Sequence, residues 1–245
     1  MIGGLITALQ FLTRLPLPVQ VPWNAETRRW AIRFYPFAGL LIGTSAFVFL
    51  LPVPPAAQAL LYVTLLVVWS GGLHLDGWMD TADAAGSNAP LEKKWEIMKD
   101  PRVGSFAVIA LVFLLAWKTA AAAGIAAADA SFWLLLLFVP ALARAGAAAL
   151  LVIVPPAKPD GLAASWQENA GNIDAFWGML FLLPLFWIPG GLLLAGAAVI
   201  FYSIWGWWIR RAFGGISGDL AGASVEGGEA WLLIVLWCFM SAGMV

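Results

Sequence analysis

Long apolar runs broken by short polar turns set the pattern of this chain. A helical membrane span needs roughly 20 mostly apolar residues. Runs of that kind cover Phe34–Leu51, Ala57–Leu75, Gly104–Gly124, Phe132–Val154 and Glu229–Val245. From Ala175 to Ile209 there is no charge at all, a stretch too long for one crossing and short for two. Pro184, Pro189, Gly190 and Gly191 fall in its middle, where a tight reversal would sit, so two short or tilted spans are predicted there. Met1–Thr13 is too short to cross and is expected at the interface or re-entering partway. It has no charged leader and no small-residue cleavage site, so it does not read as a removable signal peptide. The predicted fold is all-α: a polytopic bundle of about seven membrane helices (six to seven), one domain over residues 1–245.

Composition strengthens this reading. The chain is 62% hydrophobic and 11% charged, with mean hydropathy +0.88. Soluble domains carry about 25% charged residues, so this chain has too little polar surface to coat a soluble fold. A net charge of −1 offers no basic field for nucleic acid, and no nucleic-acid partner is expected. The single Cys238 has no disulfide partner within the chain.

Charge then orients the bundle. Of the 13 Lys and Arg, all but Lys118 and Arg144 fall on one face if Ala175–Ile209 is a hairpin. The opposite connections, "PVPP", "IAAADAS" and "IPGG", carry no Lys or Arg, which predicts that the basic face is cytoplasmic. All but Asp129 of the 14 Asp and Glu belong to that same face. The loops there are short, so the pattern predicts a site built on helix ends.

The candidate chemistry lies in four pieces. In "GGLHLDGWMDTADAAGS", Asp76, Asp80 and Asp83 are spaced i, i+4, i+7 and share about 60° of one helical face. Three like charges so placed ask for a cation, and hard ions such as Mg²⁺ take carboxylate oxygens and complete their shells with phosphates. Acids stabilising a helix N-terminus are the plainer reading of any one of them. His74 suits a hydrogen-bonded structural role as well as a catalytic one. In "EKKWEIMKDPRVGS", Lys99, Asp100 and Arg102 precede a glycine and a new span; Arg offers phosphate a fork and Lys a point charge. Lys93 and Lys94 read as membrane anchors. "KPDG", Lys158–Gly161, reads as a turn. "GGISGDLAGASVEGGE" joins glycines, which admit close backbone approach, to Asp219, Glu226 and Glu229. Arg144 sits mid-span, where an unpaired cation costs at least about 2.5–3.5 kcal/mol; its partner is a carboxylate of a neighbouring helix or a substrate phosphate. Lys118 lies nearer the outer end and is expected to snorkel.

These blocks, with "FLTRLPLP" and "FYPFAGLLIG" towards the N-terminus, resemble those of the cobalamin synthase family. The "HLDGWMDTADAAG" segment is similar to its HLDGxxDTxDG signature, with Ala84 and Ala85 before Gly86. "EIMKDPRVGSFAV" is similar to its EIMKDSRxG block, with Pro101 in place of a small polar residue. The resemblance covers nearly the whole chain and implies an enzyme of the bacterial inner membrane with its site facing the cytoplasm. The implied reaction joins adenosylcobinamide-GDP to α-ribazole or its 5′-phosphate with release of GMP, using Mg²⁺. On that basis Asp76, Asp80, Asp83 and Asp219 are the expected metal ligands, and Asp76, Asp80 and His74 the expected catalytic residues. Lys99, Asp100, Arg102, Arg144, Asp160, Gly215 and Gly218 are the expected substrate-binding set. The lipid bilayer is the expected setting, and a homo-oligomer stays open.

Two other readings compete. Membrane CDP-alcohol phosphotransferases use a DGxxAR motif followed by GxxxDxxxD. Here Asp76 and Gly77 fit, but Asp80 and Thr81 stand where Ala and Arg belong and no GxxxDxxxD follows. A transporter would also use broken spans and a mid-span Arg, but these acids gather at one face.

Overall fold

The computed structural model describes residues 1–128 and 133–243. Asp129, the one acid expected on the opposite face, lies outside the described residues. The described residues form eleven α-helices: α1 (Ile2–Leu12), α2 (Ala25–Gly43), α3 (Pro55–Ser70), α4 (Leu73–Gly86), α5 (Leu91–Ile97), α6 (Ser105–Ala128), α7 (Trp133–Ile153), α8 (Leu162–Gln167), α9 (Asn172–Met179), α10 (Gly191–Phe213) and α11 (Gly218–Ser241). Two 3₁₀ segments, Thr44–Leu50 and Leu180–Trp187, extend α2 and α9. The described residues form no strand, only one isolated parallel bridge between Pro156 and Ile216.

Among the described residues, five segments are long and apolar enough to cross a membrane, and six if α3 and α4 count as one bent span. The seventh expected crossing falls on Asn172–Trp187, a shorter apolar segment. At a rise of about 1.5 Å per α residue and 2.0 Å per 3₁₀ residue, it extends about 28 Å, close to the roughly 30 Å hydrocarbon core. The tighter winding explains how a stretch short for two ordinary helices supplies two long elements.

Three boundaries differ from the hydropathy pattern, each for a physical reason. The first span begins at Ala25, not Phe34. An Asn24–Thr27 capping box starts it, and its early arginines are paired: Arg28 with Glu168, Arg29 and Arg33 with Asp174. The second run is cut after Ser70, where Gly71 and Gly72 both take positive φ, 63° and 79°. Only glycine adopts that conformation freely, and a side chain on Gly71 would strike Arg14. The chain bends by 92° there. The last span begins at Gly218, not Glu229, so Glu226 and Glu229 lie two and three turns inside it.

Close helix approach depends on small residues. Gly39 and Gly43, spaced G-x-x-x-G on α2, face α7, where a Cβ would collide with the backbone at Pro140 and Leu137. Such spacing brings membrane helices together because packing, not water exclusion, drives association there. Gly77 of α4 likewise lies on the backbone of Asp219 in α11, 2.5 Å from its carbonyl oxygen at the Cβ position. That contact sets the acid-bearing helix against the start of the last span.

Candidate active site at the basic end

Two segments far apart in sequence are tied together at the end of the bundle that carries most cations. Ala157 N–H donates to Ile216 O and Ile216 N–H donates to Pro155 O, both at 2.9 Å. Gly215 is required there, since a Cβ would lie 2.6 Å from Pro155 O. The bridge brings "KPDG" beside "GGISGD", and α11 starts just beyond it with Asp219 in its first turn. Gly218 opens α11 with Leu162 as its neighbour. Lys99 lies against Lys158, so the second motif joins the third.

The lysine pair has the electrostatics of an anion site. The Lys99 ammonium holds the Lys158 ammonium below the usual lysine value, and Asp160 offsets part of this. Lys158 Nζ also rests 5.3 Å from the Trp95 ring centroid, a cation–π contact that steers it. Asp100 and Arg102 behave differently. Their side chains pair with one another at 2.6 Å, and Arg102 lowers the Asp100 carboxyl to about 2. Arg102 is solvent-exposed, so both are available at the surface but partner each other.

The acids divide into two roles. Asp83 accepts from the backbone N–H of Gly104 at 2.7 Å and of Ala107 at 2.8 Å, with one oxygen to each. It caps the start of α6 and is removed from the expected open metal set. Asp76 is exposed and Asp80 half-buried, and the charges of Asp76, Asp219 and Asp83 all act on Asp80. No ion pair among the described residues involves Asp76, Asp80 or Asp219. Among the described residues no three His, Cys, Asp or Glu meet tightly enough to form a ready metal site. Carboxylates without an ion-pair partner nonetheless have the donor chemistry Mg²⁺ takes. Asp76, Asp80 and Asp219 fit that ion in kind, while each oxygen of Asp83 already accepts a backbone N–H.

Two expected site residues lie elsewhere. Arg144 is 1% exposed and paired with Glu229, so it meets a neighbouring helix's carboxylate and not a substrate phosphate. His74 is 4% exposed, with Nδ1 3.5 Å from the Arg144 guanidinium, the outer limit of a hydrogen bond. His74 thus belongs to a buried ionic cluster and not to the open carboxylates. Lys118 does not snorkel either: it is buried against Glu226 at 2.5 Å and Glu229 at 2.7 Å.

Sequence reasoning misses Lys158 and Arg14. Lys158 reads as a turn residue because its partner Lys99 is far away in the chain. Arg14 covers Gly71 at the bend that opens α4, and its backbone N–H donates to Trp69 O at 2.7 Å. An exposed arginine inside the "FLTRLPLP" block was the signal for it.

Comparison with known proteins identifies the family. A family model described as cobalamin-5-phosphate synthase matches residues 4–237. A protein of Halalkalibacterium halodurans named adenosylcobinamide-GDP ribazoletransferase is 38% identical over 97% of this chain and 96% of its own. Proteins of the same name from Geobacillus kaustophilus and Pseudomonas aeruginosa are 39% and 37% identical. They cover 99% and 95% of this chain, and 98% and 97% of their own lengths. No solved structure matches. The ordered motif blocks, their convergence at one end of the bundle and these full-length matches show that the chain belongs to the cobalamin-5-phosphate synthase family.

Proposed function

We propose that this chain joins adenosylcobinamide-GDP to α-ribazole, or α-ribazole 5′-phosphate, and releases GMP. The observation that carries this reading is the full-length family match, on motif blocks that the Pro155–Ala157 to Ile216 tie and the Gly77–Asp219 contact gather at one end of a membrane bundle. The family match names the chemistry those groups suit. The basic end is read as cytoplasmic, in the inner membrane, where a water-soluble nucleotide can meet a membrane-associated corrinoid.

In this mechanism the α-ribazole 3′ oxygen attacks the phosphorus linked to cobinamide. A new P–O bond forms, the P–O bond to the GMP phosphate breaks, and the hydroxyl proton passes to a carboxylate. Lys99 and Lys158 bind non-bridging phosphate oxygens and hold the departing GMP. His74 faces Arg144 inside the bundle, which leaves an open-end aspartate as the proton acceptor. Mg²⁺, when bound, would be held by Asp76, Asp80 and Asp219 and would neutralise charge on the transferred phosphate and leaving GMP. The test is a turnover assay on detergent-purified protein with both substrates, following joined product and GMP together. Equimolar release, lost in chelator and restored by Mg²⁺, is expected. GMP without joined product would overturn the transferase reading, and undiminished turnover in chelator would overturn the metal reading.

A further inference from the structure

Away from the acids and lysines, a large groove opens on the side of the bundle between α7, the Leu180–Trp187 segment and α10. Its volume is about 940 Å³, at the upper end of the roughly 300–1,000 Å³ of ligand-sized clefts. The space exists because the facing stripes of the two long helices are small. Ala145, Gly146 and Ala149 line it from α7, and Ala195, Ala198 and Gly206 line it from α10. Tyr202 forms part of the wall, but its hydroxyl donates inward to the carbonyls of Ala143 and Ser224 at 3.0 and 3.1 Å. The body of the groove is therefore nearly all hydrocarbon. Its rim faces the bilayer, with Val199 68% and Trp207 61% exposed.

One end is different. Arg210 and Arg211 line the groove where α10 finishes at the basic end of the bundle. Both are exposed, and neither has a carboxylate within ion-pair distance among the described residues. Arg211 lies over the Trp207 ring, 5.8 Å from its centroid. The C-terminal end of a helix carries only about half a negative charge, so two full positive charges exceed what α10 itself can use. A long apolar trough with surplus positive charge at its membrane-surface end is complementary to one class of molecule.

The geometry points to an anionic phospholipid as the occupant, with acyl chains along the small residues of α7 and α10 and its phosphate on Arg210 and Arg211. None of Asp76, Asp80, Lys99, Lys158 or Asp219 lines this groove, so the site is separate from the proposed chemistry. Negative lipid gains roughly fivefold in surface affinity per basic residue it meets. Two arginines therefore set a preference of about 25-fold for phosphatidylglycerol over phosphatidylcholine.

The test is lipid retention by the full chain, measured by native mass spectrometry after exchange into mixed phosphatidylglycerol and phosphatidylcholine. The wild type is expected to carry phosphatidylglycerol preferentially. Arg210→Gln with Arg211→Gln should lose the preference while keeping residual binding of both lipids. Ala149→Phe with Ala195→Phe, which fills the trough, should lose both lipids; if that variant does not fold, the glutamine pair alone decides. Equal phosphatidylglycerol retention by wild type and the glutamine variant would overturn the proposal. So would stoichiometric displacement of the lipid by adenosylcobinamide-GDP, which would assign the groove to the corrinoid. The readout is independent of turnover, so its failure leaves the transferase reading untouched.

Discussion

Two charged regions of this protein have similar composition and opposite character. Deep in the bundle, Lys118 and Arg144 meet Glu226 and Glu229, with His74 against Arg144. Two cations face two carboxylates, all nearly fully buried, and the charges cancel. At the basic end, the charges of Asp76 and Asp219 act on Asp80 with no ion pair to any of the three among the described residues, while Lys99 and Lys158 lie against one another. There charge of each sign is left in surplus. Burial of ions costs several kcal/mol each unless pairing offsets it, so the inner cluster is a device of structure. Like charges held together at an accessible end are costly in another way, and a ligand that brings opposite charge relieves that cost. The balance of charge, more than the residue types, separates the two regions.

The largest test of this contrast is at the open end. Asp76→Asn with Asp80→Asn is expected to lower turnover by about 10²–10³-fold or more, as loss of charge-stabilising groups does, with the melting temperature unchanged. Wild-type turnover in that variant would remove the open acids from the mechanism. The inner cluster should respond in the opposite manner. Glu229→Ala leaves Arg144 and part of Lys118 uncompensated and is expected to cost about 3–5 kcal/mol of stability. Denaturation in detergent would show it, while specific activity per folded molecule stays near wild type. Replacing both partners, Lys118→Met with Glu226→Gln, should cost much less, because no charge is then stranded.

Lys158→Ala should raise KM for the nucleotide substrate about 10-fold or more, the worth of one charged hydrogen bond, with a smaller effect on kcat. The same lysine gives a pH signature. Its ammonium is held below the usual lysine value by Lys99, so it loses its proton first as pH rises, and KM should climb on the alkaline limb. Lys99→Ala removes the neighbouring charge and should shift that limb to higher pH; a limb that stays in place would break the pairing. The smallest effect separates Asp83 from its neighbours. Asp83→Ala is expected to lose about 1 kcal/mol of stability, as a lost helix cap does, and to retain most turnover. Loss of activity on the scale of the Asp76 variant would return Asp83 to the metal set.

Much of the architecture was legible in the residue pattern. Hydropathy located the spans because the bilayer excludes unpaired polar groups along any apolar run. It misplaced boundaries wherever charged residues enter a span with partners, as Arg28 does with Glu168 and Glu229 with Lys118. The break after Ser70 falls on two consecutive glycines, while the 92° angle between the two helices depends on the fold. Of the expected site, Asp76, Asp80 and Asp219 stay together at one end with Lys99 and Asp160 near Lys158, while Arg144 and His74 withdraw inside.

By itself the sequence determined an all-α membrane bundle, the face that collects charge and the helical spacing that aligns the acids. Those features depend on local periodicity and on transfer from water to lipid, which each segment feels alone. Tertiary structure alone decided which charges are neutralised. Arg144 lies 85 residues from Glu229, and Lys118 lies 111 from it. No local rule couples positions so far apart; only the packing of α6, α7 and α11 brings them within reach. Among the described residues, the same fold leaves Asp76, Asp80 and Asp219 without an ion-pair partner.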